Sequence, residues 1–96
     1  MFVLVTYDVS TIDKAGRRRL RKIARACLDW GQRVQLSVFE IELNKAQWIT
    51  LRSRLLGILD EDQDSIRFYL LDSDVRTRVE HHGTKRPRDL TGPLVV

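Results

Sequence analysis

The chain is 96 residues long, one domain's worth, because domains run to roughly 100–200 residues and a globule of this size supports one hydrophobic core. Hydrophobic residues make up 43% and charged residues 31%. That excludes a disordered tail, and no apolar run approaches the roughly 20 residues that cross a bilayer. A lone cysteine, Cys27, excludes an internal disulfide framework and a cysteine-rich zinc site. The opening Met1-Phe2-Val3-Leu4 has neither a basic n-region nor a small-residue cleavage site, so a soluble cytoplasmic chain is expected. A net charge of +4 and a pI near 9.7 point toward polyanionic partners. The distribution says more than the total. Seven of the seventeen basic residues lie between Lys14 and Arg25 with no acid among them, and the acids concentrate in Asp60–Asp64.

In chain order, Phe2–Val9 is nearly continuous apolar and β-branched, which predicts a strand buried on both faces. Ser10, Thr11 or Asp13 can then cap a helix. From Ala15 to Leu28 the period changes, with Leu20, Ile23, Ala24, Cys27 and Leu28 forming one apolar stripe. Arg18, Arg21, Lys22 and Arg25 repeat on the opposite side as a cationic ridge, and Gly31 is placed to end the helix as its C′ residue. Residues 33–43 predict a longer strand whose apolar alternation changes phase between Val38 and Phe39. That slip suggests a β-bulge or bend near Ser37, or a second buried surface. Asn44 and Gln47 form a capping box before Trp48, Leu51, Leu55 and Ile58, the stripe of a second amphipathic helix. A third strand is expected over Ile66–Asp72 and a fourth over Val75–Glu80. The order reads β-α-β, then α-β-β or α-β plus tail, and two helices on one face of a four-stranded antiparallel sheet is the α+β, ferredoxin-like βαββαβ arrangement. Residues 1–80 are expected to form this domain and 81–96 a tail. The tail's apolar end, Leu94-Val95-Val96, suits a short strand added to a sheet edge, and a homodimer is the economical partner.

Asp8 is the candidate for chemistry, because it follows the first strand directly. It either closes an Asx-type turn before the helix or offers a carboxylate to Mg²⁺ or another divalent cation, which needs only one or two protein carboxylates. Two copies facing across a dimer axis would make a fuller site. The residues Lys14, Arg17, Arg18, Arg21, Lys22 and Arg25 suit phosphate contacts, since helical spacing presents them as one face to a nucleic-acid backbone. The alternative for any charge run is a solvated helix face. His81-His82 lacks a third ligand at metal spacing and reads as surface. Cys27 reads as core, and the Asp60–Asp64 loop as solvated connection. Phe39 is either core or an exposed contact.

The chain resembles a known family, the small CRISPR adaptation proteins called Cas2, in their bacterial subtype I-C form. The resemblance is carried by Val5-Thr6-Tyr7-Asp8-Val9-Ser10, by Gly16–Ala24, by Gly31–Glu40 with its Ser37-Val38-Phe39-Glu40 block, by Ser65–Tyr69 and by Gly92–Val96. It implies a ferredoxin-like homodimer in which each C-terminal strand completes the partner's sheet, with Phe39, Leu94, Val95 and Val96 at the dimer interface. It implies a role in acquiring new spacers, with the dimer bridging two dimers of the integrase Cas1 and holding a DNA duplex on its basic surface. It also implies metal-dependent endonuclease activity on single-stranded RNA or double-stranded DNA, with Asp8 matching the family's metal-binding aspartate and Arg17, Arg18 and Arg33 its basic contacts. Two other readings stand beside it: a non-catalytic scaffold in the same complex, and an unrelated ferredoxin-like RNA-binding module. The second lacks the exposed aromatic motif such modules carry on a strand.

Overall fold

The computed structural model describes residues 1–83. Four strands and two helices follow in the order β1 (Phe2–Asp8), α1 (Lys14–Leu28), β2 (Gln32–Gln35), β3 (Val38–Glu42), α2 (Lys45–Ile58) and β4 (Ser65–Leu71), and a 3₁₀ helix spans Ser73–Arg78. The strands form one sheet in the spatial order β2-β3-β1-β4, every neighbouring pair antiparallel. This is the ferredoxin-like α+β arrangement expected from the sequence. β1–α1–β2 straddles β3 and β3–α2–β4 straddles β1, so the two βαβ units interlock through the centre of the sheet.

Local chemistry explains the helices. Asp13 caps α1, its carboxylate accepting the Gly16 amide at 2.8 Å, which selects one of the three caps the sequence allowed. At α2 the capping box forms in both directions, with Asn44 Oδ1 accepting from the Gln47 amide at 2.8 Å and Gln47 Oε1 from the Asn44 amide at 2.9 Å. Each such cap stabilises its helix by about 1 kcal/mol. Between helices and sheet lie Val3, Val5, Tyr7, Ile23, Ala26, Cys27, Phe39, Ile41, Leu51 and Leu55. Leu28, expected on the stripe of α1, is exposed, so the packed face ends at Cys27. β1 is asymmetric: Val3, Val5 and Tyr7 are buried beneath the helices, whereas Leu4 and Thr6 on the other face are half-buried and Asp8 is exposed.

Four expectations are corrected. The single strand over 33–43 is a hairpin, with Leu36-Ser37 forming the turn between β2 and β3. The phase change is the chain reversal itself, and the irregular register falls earlier, between Arg33 and Gln35. No glycine or asparagine marks that turn, and Leu36 stands 72% exposed in it. The strand over Val75–Glu80 is replaced by the 3₁₀ helix, tied to β3 by Arg76 Nη1 on Glu42 Oε1 at 2.7 Å. Gly31 is not a left-handed C′ residue, since among the described residues only Gly83 has positive φ. It serves close approach instead: a Cβ there would sit 2.5 Å from both the Glu40 carbonyl oxygen and Ile41 Cγ1. Phe39, expected at a dimer interface, is fully buried in the chain's own core. Its ring stacks on Tyr7 at a centroid distance of 6.0 Å, so it has no surface to offer a partner. Leu94, Val95 and Val96, with most of the expected tail, lie outside the described residues. Among those described, no helix is long and apolar enough to cross a membrane.

Candidate active site and nucleic-acid surface

Asp8 ends β1 and pairs with Ser65 at the start of β4. Strand alternation turns its carboxylate to the sheet face away from the helices, where it is exposed. Both sides of this strand end are tied down: the Tyr7 amide donates to the Ser37 carbonyl at 3.1 Å, and the Ser10 amide donates to Asp64 Oδ1 at 3.0 Å.

Asp64 is the residue the sequence did not single out. Its carboxylate also accepts from Arg19 Nε at 2.7 Å, from Arg19 Nη2 at 3.2 Å and from the Asp60 amide at 3.1 Å. The side chain is 0% exposed and that of Arg19 15%. The Arg19 guanidinium, aided by the Asp60 and Ser10 amides, holds the Asp64 carboxyl below the usual carboxylate range against the opposing effect of burial. This clamp joins the segment after Asp8 to α1 and to the α2–β4 loop, so the acidic stretch is not simply a solvated connection. One signal could have found it. Arg19 stands four residues before Ile23 and seven before Ala26, both buried, which places a cation beside the packed face where it needs an acid.

The expected contact cations separate into groups. Arg33 is exposed in β2, away from the α1 cations, and its guanidinium carbon lies 5.2 Å from the Phe39 ring centroid. Burial pushes the Tyr7 phenol up, with Arg33 partly opposing. Arg17 Nη1 donates to the Thr11 carbonyl at 3.2 Å, and Lys14 is exposed in the first turn of α1. The remaining four, Arg18, Arg21, Lys22 and Arg25, line a shallow groove of about 510 Å³ together with Arg54 and Ile58 of α2. Arg54 was missed because the sequence gives no direct sign of which α2 residues meet α1. Asp29, at the end of α1, lies 2.9 Å from Arg54 Nη1 and 4.0 Å from Arg25 Nε. Arg18, Arg21 and Lys22 form no ion pair among the described residues.

The remaining candidates stay minor. Burial pushes the Cys27 thiol up to about 12, so it is an inert core group. His82 Nε2 lies 2.5 Å from Glu80 Oε2 on an exposed segment. Among the described residues no group of three or more His, Cys, Asp or Glu could hold a metal ion. Asp8 thus offers one exposed carboxylate, which fits a hard cation that fills its shell mainly with water and substrate oxygens.

A strand-end carboxylate and a cationic layer of helices on a ferredoxin-like frame define the class: a small α+β protein with a cationic helical face. Within that class the chain belongs to the Cas2 family, because residues 1–79 match the family described as CRISPR associated protein Cas2. It is 58% identical over 96 residues to the CRISPR-associated endoribonuclease Cas2 of Chlorobaculum tepidum, covering 100% of both chains. It is 47% identical over 95 residues to the CRISPR-associated endonuclease Cas2 of Halalkalibacterium halodurans, covering 99% of each. The crystal structure of Streptococcus pyogenes Cas2 at pH 6.5 superposes with a TM-score of 0.78 and 54% identity, covering 86% of this chain and 100% of that one.

Proposed function

We propose that this chain acts in CRISPR adaptation, as a cytoplasmic homodimer that bridges dimers of the integrase Cas1 and holds incoming duplex DNA on its cationic helices. The observation that carries the reading is the face of α1, where Arg18, Arg21 and Lys22 are exposed without an acidic partner among the described residues. Ordinary soluble surfaces intersperse the two signs of charge. In this reading β4, an edge strand, receives the partner's C-terminal strand through Leu94, Val95 and Val96. From the sequence blocks we also infer the subtype I-C form.

To the same dimer we assign metal-dependent phosphodiester cleavage, in keeping with relatives named endoribonuclease and endonuclease. Asp8 would hold Mg²⁺ or another divalent cation, one carboxylate from each protomer. Such a cation, when bound, polarises a phosphate oxygen and lowers the pKa of an attacking water. The chain's own part is to hold the carboxylate at a fixed strand end and to keep the phosphate backbone near it by charge. A scaffold without turnover is the second reading, favoured by the absence of any further ligand cluster among the described residues.

Cleavage of single-stranded RNA and of duplex DNA by wild type and Asp8→Ala, with Mg²⁺ and with chelator, separates the two. Activity that needs metal and vanishes in the variant makes Asp8 catalytic. Equal activity in both removes Asp8 from the mechanism, and none in either leaves the scaffold.

A further inference from the structure

We propose that the groove between α1 and α2 is the track for one phosphodiester strand of the bound duplex, and that Asp29 is a built-in competitor that weakens the grip. This rests on the reading that the cationic helices bind nucleic acid, and it adds an element, α2, and an opposing acid that α1 alone does not supply.

Arg18 and Arg25 are seven residues apart on α1, about 10 Å along the axis at roughly 1.5 Å per residue. One strand of duplex DNA advances about 3.4 Å of axis per phosphate while winding around that axis, so its phosphates are spaced more widely along the strand itself and the cationic length meets about two of them. Across the groove stands Arg54 from α2, and Ile58 forms part of the floor. An apolar floor under a cationic rim suits a backbone, whose sugars are the less polar part and whose phosphates point outward. The aliphatic stems of the arginines extend such a floor while their charged heads stay at the rim.

Asp29 is the acid that touches this rim. It pairs with Arg54 at 2.9 Å and approaches Arg25 at 4.0 Å, with the Arg54 and Asp29 side chains 42% and 45% exposed. Exposed pairs of this kind contribute little and exchange readily. A phosphate entering the groove takes Arg54 and Arg25 from Asp29, and the freed carboxylate then repels the next phosphate. Grip and release are thereby balanced within one chain: the groove binds backbone of any sequence, and Asp29 lowers the affinity and keeps the exchange reversible.

The test measures binding of a fluorescently labelled duplex DNA of arbitrary sequence to the full-length chain by anisotropy over a range of salt. Asp29→Asn, which keeps a residue suited to a helix end, is expected to tighten binding by about 2- to 5-fold and to steepen the log–log salt slope by about 0.9. Arg54→Gln is expected to weaken binding by a similar factor, and Arg54→Gln in the Asp29→Asn background to lose most of the gain. A charge-reversed Arg18→Glu/Arg21→Glu chain serves as the reference for the parent reading. If that chain loses binding while Asp29→Asn and Arg54→Gln match wild type, the DNA lies on α1 alone and the groove proposal is overturned. If the charge-reversed chain also binds like wild type, the parent reading falls with it. Thermal melts of each variant establish that the affinities compare folded proteins.

Discussion

Asp8 and Asp64 stand one position apart across the same ladder, because Asp8 pairs with Ser65 and Asp64 precedes it. They have opposite fates. The Asp8 carboxylate faces away from the helices and is exposed, while that of Asp64 is enclosed by the Ser10 and Asp60 amides and the Arg19 guanidinium. A single strand end thus separates two uses of the same side chain. One carboxylate is neutralised by the fold and holds it, the other is held by the fold and left available. A charge without an internal partner, placed on a backbone this firmly anchored, is where chemistry has room.

The largest expected effect is at Asp64. Asp64→Ala leaves Arg19 partly buried without its acid and two amides without their acceptor, and is expected to cost about 3–5 kcal/mol, read from urea unfolding. A loss below about 1 kcal/mol would show that water replaces the clamp. The sign with pH follows from the lowered folded pKa of Asp64. Its contribution is full above the unfolded value and disappears as pH falls through the folded one. Acid unfolding of wild type should therefore be steeper below about pH 4 than that of Asp64→Asn.

A smaller effect is expected where α1 hands over to β2. Gly31→Ala forces a methyl against the Glu40 carbonyl and Ile41, atoms of the sheet that cannot swing aside. The expected cost is about 1–3 kcal/mol, seen as a lower denaturation midpoint with unchanged slope. An unaffected midpoint would mean that the β2–β3 hairpin yields.

Smaller again, and of opposite sign, is Glu40→Gln. Glu40 Oε1 is buried without a partner, as is Oε1 of its cross-strand neighbour Gln32. Burial pushes the Glu40 carboxyl up, with Arg76 partly opposing. A raised folded pKa favours the folded state below the unfolded value, and that advantage is lost as pH rises through the folded one. The ionised group therefore weighs on the fold at neutral pH. Glu40→Gln removes the charge and supplies a donor beside Gln32, so Tm at pH 7 should rise by about 4–8 °C per kcal/mol recovered, with little change at pH 4. A fall in Tm at pH 7 would show that the carboxylate is already compensated.

These residues also mark what the sequence reveals. The helices were legible because their signals are local: the α2 box needs only Asn44 and Gln47, and the α1 stripe only helical spacing. Asp8 was legible because a polar residue directly after an apolar strand must emerge at its end. The hairpin was not, because Leu36-Ser37 has none of the usual turn chemistry and its apolar residue continued the strand pattern. The 3₁₀ helix was hidden for the converse reason, since Val75 and Val79 alternate with polar residues as a strand would. The Asp64 clamp and the Arg54–Asp29 pair depend on contacts 45 and 25 residues apart, which no local pattern encodes.

The smallest stability effect belongs to Asp8 itself. Asp8→Asn removes an exposed charge at a strand end whose backbone is anchored by β4, by the Ser37 carbonyl and, through Ser10, by Asp64. Surface substitutions of this kind stay within about 0.5 kcal/mol, so urea midpoints of wild type and variant should coincide. This near-neutrality is what gives a cleavage measurement its meaning: loss of activity in a chain of unchanged stability points to the carboxylate. A destabilisation of about 2 kcal/mol or more would instead return Asp8 to the turn-closing role that the sequence left open. The two aspartates would then both serve the fold, and the contrast between them would be one of degree.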